Sequence, residues 1–255
     1  MRSPYKAYTN LIREFMITEF KLKYQSSFIG YFWSLLNPLL MFSVLYLVFS
    51  MFTRFEMEYY HLFLLLGVIL WGYFAEATTN AMLAIQAKAG IIKKIYFPRE
   101  IIVLASNGST FLTLLLNLFV FMVLMVVSKI TVTVKLLYLP FFFLELVVLI
   151  YGISLILSTL YVRYIDTLHL WRVLLQIGFW ITPIIYPMSV VPEEMKKIIL
   201  LNPLAGIITQ IREVLIYNTH PLTSTMMITF FSTGVIFLIV KYIFKNKSSK
   251  FAEWI

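Results

Sequence analysis

The chain has 255 residues, of which 61% are hydrophobic and only 13% are charged, and its formal net charge is +9. A soluble globular protein carries about 25% charged residues, so this composition excludes a water-soluble domain. Cysteine is absent, which excludes disulfides and cysteine-ligated metals. We therefore expect an all-α, polytopic membrane protein that does not bind nucleic acid, and we assign the positive charge to cytoplasmic loops.

The N-terminal segment, residues 1–27, is charged and has no apolar run typical of a cleavable signal peptide. Tyr5, Tyr8, Ile12 and Phe15 recur at helical spacing, which predicts an amphipathic helix. Aromatic and basic helices before a span usually lie in the membrane interface, and a soluble helix that caps the cytoplasmic side is the alternative. The first span would then be its own insertion signal.

Six segments are long and apolar enough to cross a bilayer, for which a helix needs about 20 residues. They are residues 28–52, 62–85, 101–128, 136–162, 173–191 and 222–240. The whole chain, residues 1–255, is thus predicted to be one transmembrane domain. Its six-span core covers residues 28–244, and residues 245–255 form a cytoplasmic tail.

The distribution of lysine and arginine predicts the orientation of these spans. If both termini lie on one side of the membrane, that side holds 15 of the 21 basic residues and the other side holds six. Because cytoplasmic loops are enriched in lysine and arginine, both termini are expected in the cytoplasm.

Residues 192–221, between the last two predicted spans, contain two short apolar stretches around Asn202 and Pro203. Neither stretch is long enough to cross the membrane. They are expected to form either short re-entrant helices in the outer leaflet or a compact external hairpin. Irregular backbone at membrane depth is tolerated only against protein or a wet cavity.

The residues needed for covalent chemistry are nearly missing. The chain has one aspartate, Asp166, and three histidines, His61, His169 and His220, which the topology places on opposite sides of the membrane. No Gly-rich phosphate loop occurs. We therefore predict no catalytic residue, no metal site and no ATP hydrolysis on this chain.

Two acids, Glu76 and Glu145, fall inside predicted spans, where a charge is costly and often functional. Proton coupling is one interpretation. The other, which we favour, is a structural role, because the spans contain no base or cation that would complete a proton relay. The polar neighbours expected to bond to these acids are Asn80, Asn107, Ser109 and Asn117.

Four motifs, in order along nearly the whole chain, carry a resemblance to a known family. The first comprises Lys21, Lys23, Tyr24, Ser27, Ile29, Gly30, Trp33, Pro38 and Leu39. The others comprise Gly67, Trp71, Phe74, Lys94, Phe97, Pro98 and Arg99; Thr182, Pro183, Tyr186 and Pro187; and Asn202, Pro203 and Arg212. Together they resemble the permease subunit of polysaccharide-export ATP-binding cassette transporters, of the O-antigen or teichoic acid type. Two departures are Ile29 for the usual leucine and Ile165 for the arginine that often precedes Asp166.

The resemblance implies a homodimeric pore in the bacterial inner membrane that is driven by two copies of a separate soluble ATPase. ATP and Mg²⁺ would bind that partner, and no cofactor would bind this chain. The expected substrate is a glycan on a polyprenyl diphosphate lipid, with O-antigen as the leading class and teichoic acid or capsule as alternatives.

The resemblance also implies two sets of site residues. The candidates for ATPase contact lie in the loop after the second span: Gln86, Lys88, Ile91, Ile92, Lys93, Lys94 and Tyr96. An ordinary positively charged loop is the alternative. The candidates for substrate entrance and pore are Tyr24, Gly30, Tyr31, Trp33, Trp71 and Phe74. The loop cations and Arg99 are also suited to a diphosphate or an anionic lipid headgroup.

Three rival functions remain open at this stage. A proton-coupled or passive lipid flippase would need no ATPase. An integral membrane glycosyl or acyl transferase is disfavoured by the single aspartate and the separated histidines. An exporter of drugs or small lipids would share the architecture.

Overall fold

The computed structural model describes residues 4–25, 30, 32–52, 57–95, 97–131, 133–248 and 251. None of these residues forms a β-strand, which confirms the all-α class. The helices are α1 (Pro4–Tyr24), α2 (Phe32–Phe52), α3 (Tyr60–Ala87), α4 (Ala89–Ile92), α5 (Glu100–Val127), α6 (Leu139–Arg163), α7 (Thr167–Ile181), α8 (Glu193–Leu200), α9 (Pro203–Leu215) and α10 (Thr223–Ser248). Short 3-10 helices cover Val134–Tyr138 and Met188–Val190.

The predicted polytopic architecture is confirmed in its main features. Five of the described helices, α2, α3, α5, α6 with its preceding 3-10 turn, and α10, are long and apolar enough to cross a membrane. A sixth crossing is counted if α8 and α9 act as one broken span, although they meet at an angle of 103°. The two short apolar stretches around Asn202 thus lie in two helices, and their placement as re-entrant helices or as an external hairpin stays a prediction.

The boundaries predicted for the fifth span, residues 173–191, are wrong. The helix in this region, α7, begins at Thr167 and ends at Ile181, so its 15 residues rise about 22 Å, less than the hydrocarbon core of about 30 Å. Pro183 ends it, because proline disfavours the helical conformation in the preceding residue. Thr182 is accordingly extended, with ψ of 137°.

Loop contacts define two ends of the helix bundle. At one, here called the α4 end, Lys88 at the start of α4 pairs with Glu19 of α1. At the other, the α9 end, Asn218 after α9 accepts a hydrogen bond of 2.8 Å from Thr133. The loops predicted to be cytoplasmic fall at the α4 end. Which end faces the cytoplasm stays a prediction.

Helix α1 packs along α5 rather than standing apart from the bundle. Ile12 and Phe15, from its predicted apolar face, pack against the hydrophobic cluster at the α4 end. Its partner surface on α5 includes Gly108, where a Cβ atom would lie 2.8 Å from the sulfur of Met16. This packing explains the helical spacing of the apolar residues. The location of α1 in the membrane interface stays a prediction.

Helix α3 is the centre of the molecule. It packs against α5 and α6, and most of its side chains are buried, from Leu62 to Ile85. The two helices that flank it are far more exposed: α7 has no buried residue, and Leu45 is the one residue of α2 that is buried among those described. Both helices therefore present broad apolar faces that no described part of the chain covers.

Candidate functional site

An ion pair inside the bundle joins the end of α1 to the middle of α3. The ammonium of Lys23 contacts the Oε1 of Glu76. Glu76 lies about 16 Å from the α4 end of α3 and about 24 Å from its other end, along the helix axis. Glu76 therefore lies well inside the length of a helix that is long and apolar enough to cross a membrane. About a third of each side chain is exposed, 32% for Lys23 and 34% for Glu76.

Side chains of α5 extend this ion pair into a polar network. The hydroxyl of Thr113 lies 3.3 Å from both Lys23 Nζ and the Tyr24 hydroxyl. On α3, Asn80 Nδ2 donates to Glu76 Oε1 at 3.4 Å and to Thr110 Oγ1 at 3.5 Å. Asn80 was one of the expected polar neighbours of the acid. The network therefore connects three helices that are far apart in the sequence.

A cavity of about 500 Å³ opens beside the network, and we call it the polar cavity. Its described lining comes from the end of α1, the start of α2 and the middle of α3 and α5: Lys23, Tyr24, Gly30, Trp33, Ser34, Asn37, Pro38, Ile69, Gly72, Tyr73, Ala75, Glu76, Thr110, Thr113, Leu114 and Asn117. Hydroxyls, amides and an aromatic ring in an apolar layer suit a polar ligand that bears hydroxyl groups, since sugar rings stack on aromatic faces.

Gly30 turns the chain from α1 into α2 at the edge of this cavity. Its φ angle is +52°, in the left-handed region that residues with a side chain rarely adopt. The Trp33 amide donates to the Gly30 carbonyl at 3.2 Å, which closes the turn. Tyr24 and Trp33 line one cavity although they belong to different helices.

The residues predicted for substrate entrance and pore separate into two groups. Tyr24, Gly30 and Trp33 line the polar cavity. Trp71 and Phe74 instead pack on α7: the ring of Trp71 lies 6.1 Å from that of Phe179, and the ring of Phe74 lies 6.0 Å from that of Trp171. Tyr31 lies outside the described residues. The structure thus brings three of the six candidates together.

The predicted ATPase-contact residues lie around α4. Gln86, Ile91, Lys93 and Lys94 are exposed, as is Ile95, with 62% of its surface accessible. Two candidates differ from them. Ile92 is buried in the hydrophobic cluster of the α4 end, and Lys88 is held by Glu19 of α1, with its ammonium 5.3 Å from the ring centroid of Phe15. Tyr96 lies outside the described residues.

A buried arginine organises the α9 end. Arg212 of α9 is 2% exposed and donates hydrogen bonds to three backbone carbonyls: Phe63 at 3.1 Å, Ile184 at 2.9 Å, and Pro183. Its guanidinium also stacks 3.5 Å from the ring centroid of Phe63. We call these residues, with Gly67 of α3, the arginine clamp. It contains no carboxylate among the described residues, so Arg212 is satisfied by carbonyl dipoles.

The clamp gives a physical reason for three of the sequence motifs. A Cβ atom on Gly67 would collide with the Arg212 guanidinium. Asn202 caps α9 by accepting from the Leu204 amide at 3.1 Å, and its Nδ2 lies 3.5 Å from the Thr182 hydroxyl. The motifs around Gly67, Pro183 and Arg212 therefore form one assembly. Arg212 was one of the six basic residues predicted to lie on the external side, and this assignment to an external loop is wrong, because the residue is buried in the bundle.

The second intramembrane acid, Glu145, lies apart from the first. It is buried between α6 and α10, where it lines a small cavity with Thr233. Neither carboxylate oxygen has a hydrogen-bond partner within standard geometry among the described residues. The two acids therefore do not belong to one relay in this chain.

Sequence reasoning missed the role of Lys23. No cation was predicted within reach of the span acids, because residues 1–27 were predicted to lie outside the spans. The packing of α1 along α5 brings Lys23 to the depth of Glu76. The available signal was the position of Lys23 in the first motif, directly before Tyr24.

Comparison with known proteins gives matches over most of the chain. The family model for the ABC-2 type transporter matches residues 10–216. Two proteins from Klebsiella pneumoniae called O-antigen export system permease protein RfbA are 32% and 33% identical over 237 residues, which is 92% of this chain and 91% of each relative. A protein of the same name from Myxococcus xanthus is 24% identical over 248 residues, 96% of this chain and 95% of the relative.

Proposed function

Because this chain belongs to the ABC-2 type transporter family, we propose that it is the permease subunit of an exporter that moves a lipid-linked polysaccharide of the O-antigen type across the bacterial inner membrane. The observation that carries the proposal is the similarity to O-antigen export permeases over 92% of the chain. Teichoic acid and capsule remain the neighbouring substrate classes. Both termini are placed on the cytoplasmic side, in keeping with the positive charge of the α4 end.

A separate ATPase supplies the energy in this proposal, and ATP and Mg²⁺ bind to that partner. The docking surface is the loop around α4. Ile91 and Ile95 support it, because both are apolar and exposed beside the exposed cations Lys93 and Lys94. The ion pair between Lys88 and Glu19 ties this loop to α1, so the two together offer one surface to the ATPase.

The exporter contains two copies of this chain. The support is the exposure of α2 and α7, which flank the central helix α3 and carry large apolar side chains such as Leu47 and Leu174 on their exposed faces. A second copy covers part of these faces, and the lipid covers the rest. The pore then forms between the two copies, and α3 of each copy is separated from it by α2 and α7.

The substrate enters beside the polar cavity. Trp33 supplies an aromatic face for a sugar ring, and Asn37 and Asn117 supply amides for hydroxyl groups. Tyr24, Gly30 and Tyr31 shape this entrance in the proposal. Trp71 and Phe74 do not line the polar cavity but pack on α7. In the proposal they act indirectly, because a movement of α7 would displace both rings.

The first experiment deletes the gene in its host and follows the glycan. The proposal expects loss of the polysaccharide from the cell surface and accumulation of the lipid-linked glycan in the cytoplasmic membrane. Re-expression of the chain restores export only with its ATPase partner present. Normal surface glycan in the deletion strain would overturn the substrate assignment.

A second experiment tests the ATPase contact by co-purification in mild detergent. Ile91→Asp and Ile95→Asp each place a charge on the proposed docking surface, and together they are expected to abolish recovery of the ATPase. Val134→Asp makes the same change on an exposed apolar residue at the α9 end and should leave recovery unchanged. Equal recovery with all three variants would contradict docking at the α4 loop.

A third experiment tests the second copy by disulfide crosslinking. The chain contains no cysteine, so single introduced cysteines report on one position each. Leu47→Cys on α2 and Leu174→Cys on α7 are expected to form oxidised dimers in native membranes. Leu238→Cys on the exposed face of α10 is the matched control. Dimers only from the control would place the contact elsewhere.

A flippase without an ATPase is the second candidate, because the Lys23–Glu76 pair supplies an acid and a cation inside one network. Reconstituted vesicles that hold the purified chain separate the two functions. Transport that needs the ATPase and ATP supports the exporter. Transport by the chain alone that responds to a proton gradient and is lost in Glu76→Gln supports the flippase.

A further inference from the structure

A second cavity, of about 610 Å³, opens at the α4 end between the start of α5 and the last turns of α10. Its described lining includes three cations: Arg99 directly before α5, and Lys241 and Lys245 in α10. Glu100 is the single acid in that lining, so the lining carries a net positive charge. We call it the basic cavity, and it shares no described lining residue with the polar cavity.

Among the described residues, no acid forms a salt bridge with any of the three cations. In the described part of the chain, the salt bridges involve other lysines, and none reaches Arg99, Lys241 or Lys245. Lys241 and Lys245 stand four residues apart on one face of α10, where like charges repel each other. An anion bound between them and Arg99 relieves this repulsion.

The cations lie at the depth of lipid headgroups. From Thr223 to Val240, α10 rises about 26 Å, close to the hydrocarbon thickness of about 30 Å. Lys241 and Lys245 follow directly, in the last turns of the helix. They therefore occur where the phosphate layer of one leaflet begins.

Aromatic rings lie beside the cations in the lining of the basic cavity. Phe97 and Phe244 line it and are buried. The ring of Phe244 lies 5.5 Å from that of Phe251, and the guanidinium of Arg99 lies 5.8 Å from the Phe251 ring centroid. Cations beside apolar rings complement a phosphate that carries an apolar group, whereas a free phosphate ion would use only the cations.

We propose that the basic cavity binds the phosphate group of a membrane lipid. Basic pockets between spans on the cytoplasmic side are known to take anionic headgroups. The basic cavity lies in a different part of the molecule from the proposed substrate entrance. The binding proposed for it does not depend on which glycan is exported. The phosphate comes either from a bilayer phospholipid or from the phosphorylated end of a polyprenyl lipid, and the chemistry that binds it is the same.

Native mass spectrometry of the full-length chain in detergent tests the proposal. The probes are phosphatidylglycerol, undecaprenyl phosphate and zwitterionic phosphatidylcholine. The variant Arg99→Gln/Lys241→Gln/Lys245→Gln is expected to lose roughly 100-fold in apparent affinity for the anionic probes, because each cation near a lipid phosphate contributes roughly a factor of five. The control Lys21→Gln/Arg172→Gln/Lys247→Gln removes the same charge from exposed positions outside the cavity.

The outcomes separate the two lipid sources. Tighter binding of phosphatidylglycerol assigns the site to a bilayer lipid, and tighter binding of undecaprenyl phosphate assigns it to a polyprenyl lipid; both support the proposal if only the cavity variant loses affinity. Equal losses in cavity variant and control, or equal binding of phosphatidylcholine, overturn it.

Two further measurements do not depend on the folding of the neutral variant. Arg99→Lys/Lys241→Arg/Lys245→Arg keeps the charge and is expected to bind phosphatidylglycerol within a few-fold of the unmodified chain. The unmodified chain should bind phosphatidic acid at least tenfold more tightly than diacylglycerol, which lacks only the phosphate. Similar affinities for these two lipids would refute a phosphate site.

Discussion

The bundle contains two internal cations, Lys23 and Arg212, and it satisfies them in opposite ways. Lys23, in the polar cavity, is partly exposed and is paired with a single acid, Glu76. Arg212, in the arginine clamp, is buried, pairs with no acid of the described residues, and donates to three backbone carbonyls. An ion pair leaves its surroundings open to rearrangement, whereas a guanidinium fixed by three carbonyls from two segments holds the backbone itself.

The different bonding of Lys23 and Arg212 follows from where each residue lies in the bundle. The clamp lies directly after α7, where Pro183 and Pro187 keep the chain from continuing as a helix and leave carbonyls without helical partners. The polar cavity lies where α1, α2 and α3 meet, next to the turn at Gly30. We infer that the α9 end is the rigid part of the subunit and that the polar cavity is the part able to change shape.

The largest effect is expected from Arg212→Met. It removes the donor from three buried carbonyls, which should lower the free energy of unfolding by on the order of 3–5 kcal/mol. Thermal unfolding in detergent, followed by tryptophan fluorescence, measures the loss. Arg172→Met removes an exposed arginine from α7 and should change the midpoint little. A similar midpoint for both variants would show that the clamp is not a rigid element.

A smaller loss is expected from Gly67→Ala, which pushes a methyl group into the Arg212 guanidinium. Overpacking of this kind costs about 1–3 kcal/mol. Gly72→Ala in the same helix is the matched control, since nothing lies within 4 Å of a Cβ there. The control should be neutral or stabilising by up to about 1 kcal/mol, because alanine favours the helix. The same thermal assay compares the pair.

The ion pair is expected to contribute less to stability and more to transport. Glu76→Gln or Lys23→Met leaves one charge unpaired, at a cost of about 1–2 kcal/mol for groups that are a third exposed. The double variant should lose less free energy of unfolding than the two single variants lose together. The exchanged pair Lys23→Glu/Glu76→Lys should recover part of the transport. Strictly additive losses in this cycle would show that the two charges act independently.

The smallest effect concerns the cap of α9. Asn202→Ala removes the acceptor for the Leu204 amide, and the expected loss is about 1 kcal/mol. Asn202→Asp keeps an acceptor oxygen and should retain most of the stability. If both variants lose the same amount, the contact between Asn202 Nδ2 and Thr182, rather than the cap, is what holds α9.

The fold could be predicted from sequence wherever apolar length decided the structure. Long uncharged runs such as residues 101–128 became single helices, because lipid requires every backbone group to be bonded within the segment. The same rule failed for residues 173–191. There, the prolines end α7 early, and buried Ile184 and Ile185 continue the chain without a helix. Apolar composition alone does not reveal that break.

The candidate site was less predictable, because its contacts join segments distant in sequence. Tyr24, Gly30 and Trp33 lie close enough in sequence to be grouped before the structure was known. The pairing of Lys23 with Glu76 and that of Arg212 with the Pro183 carbonyl depend on how helices pack. No period or spacing within either segment encodes the partner. The motifs identified the residues involved, but the structure was needed to join them.

The arginine clamp has a consequence for how related chains diverge. Its parts come from α3, the break after α7, and α9, so a change in one segment is tolerated only if the others change with it. A side chain at position 67 requires a shorter residue at position 212, and loss of Arg212 removes the reason to keep a glycine opposite it. Among related chains, we expect these positions to be retained or substituted together. The residues that line the polar cavity are expected to vary more freely, along with the transported substrate.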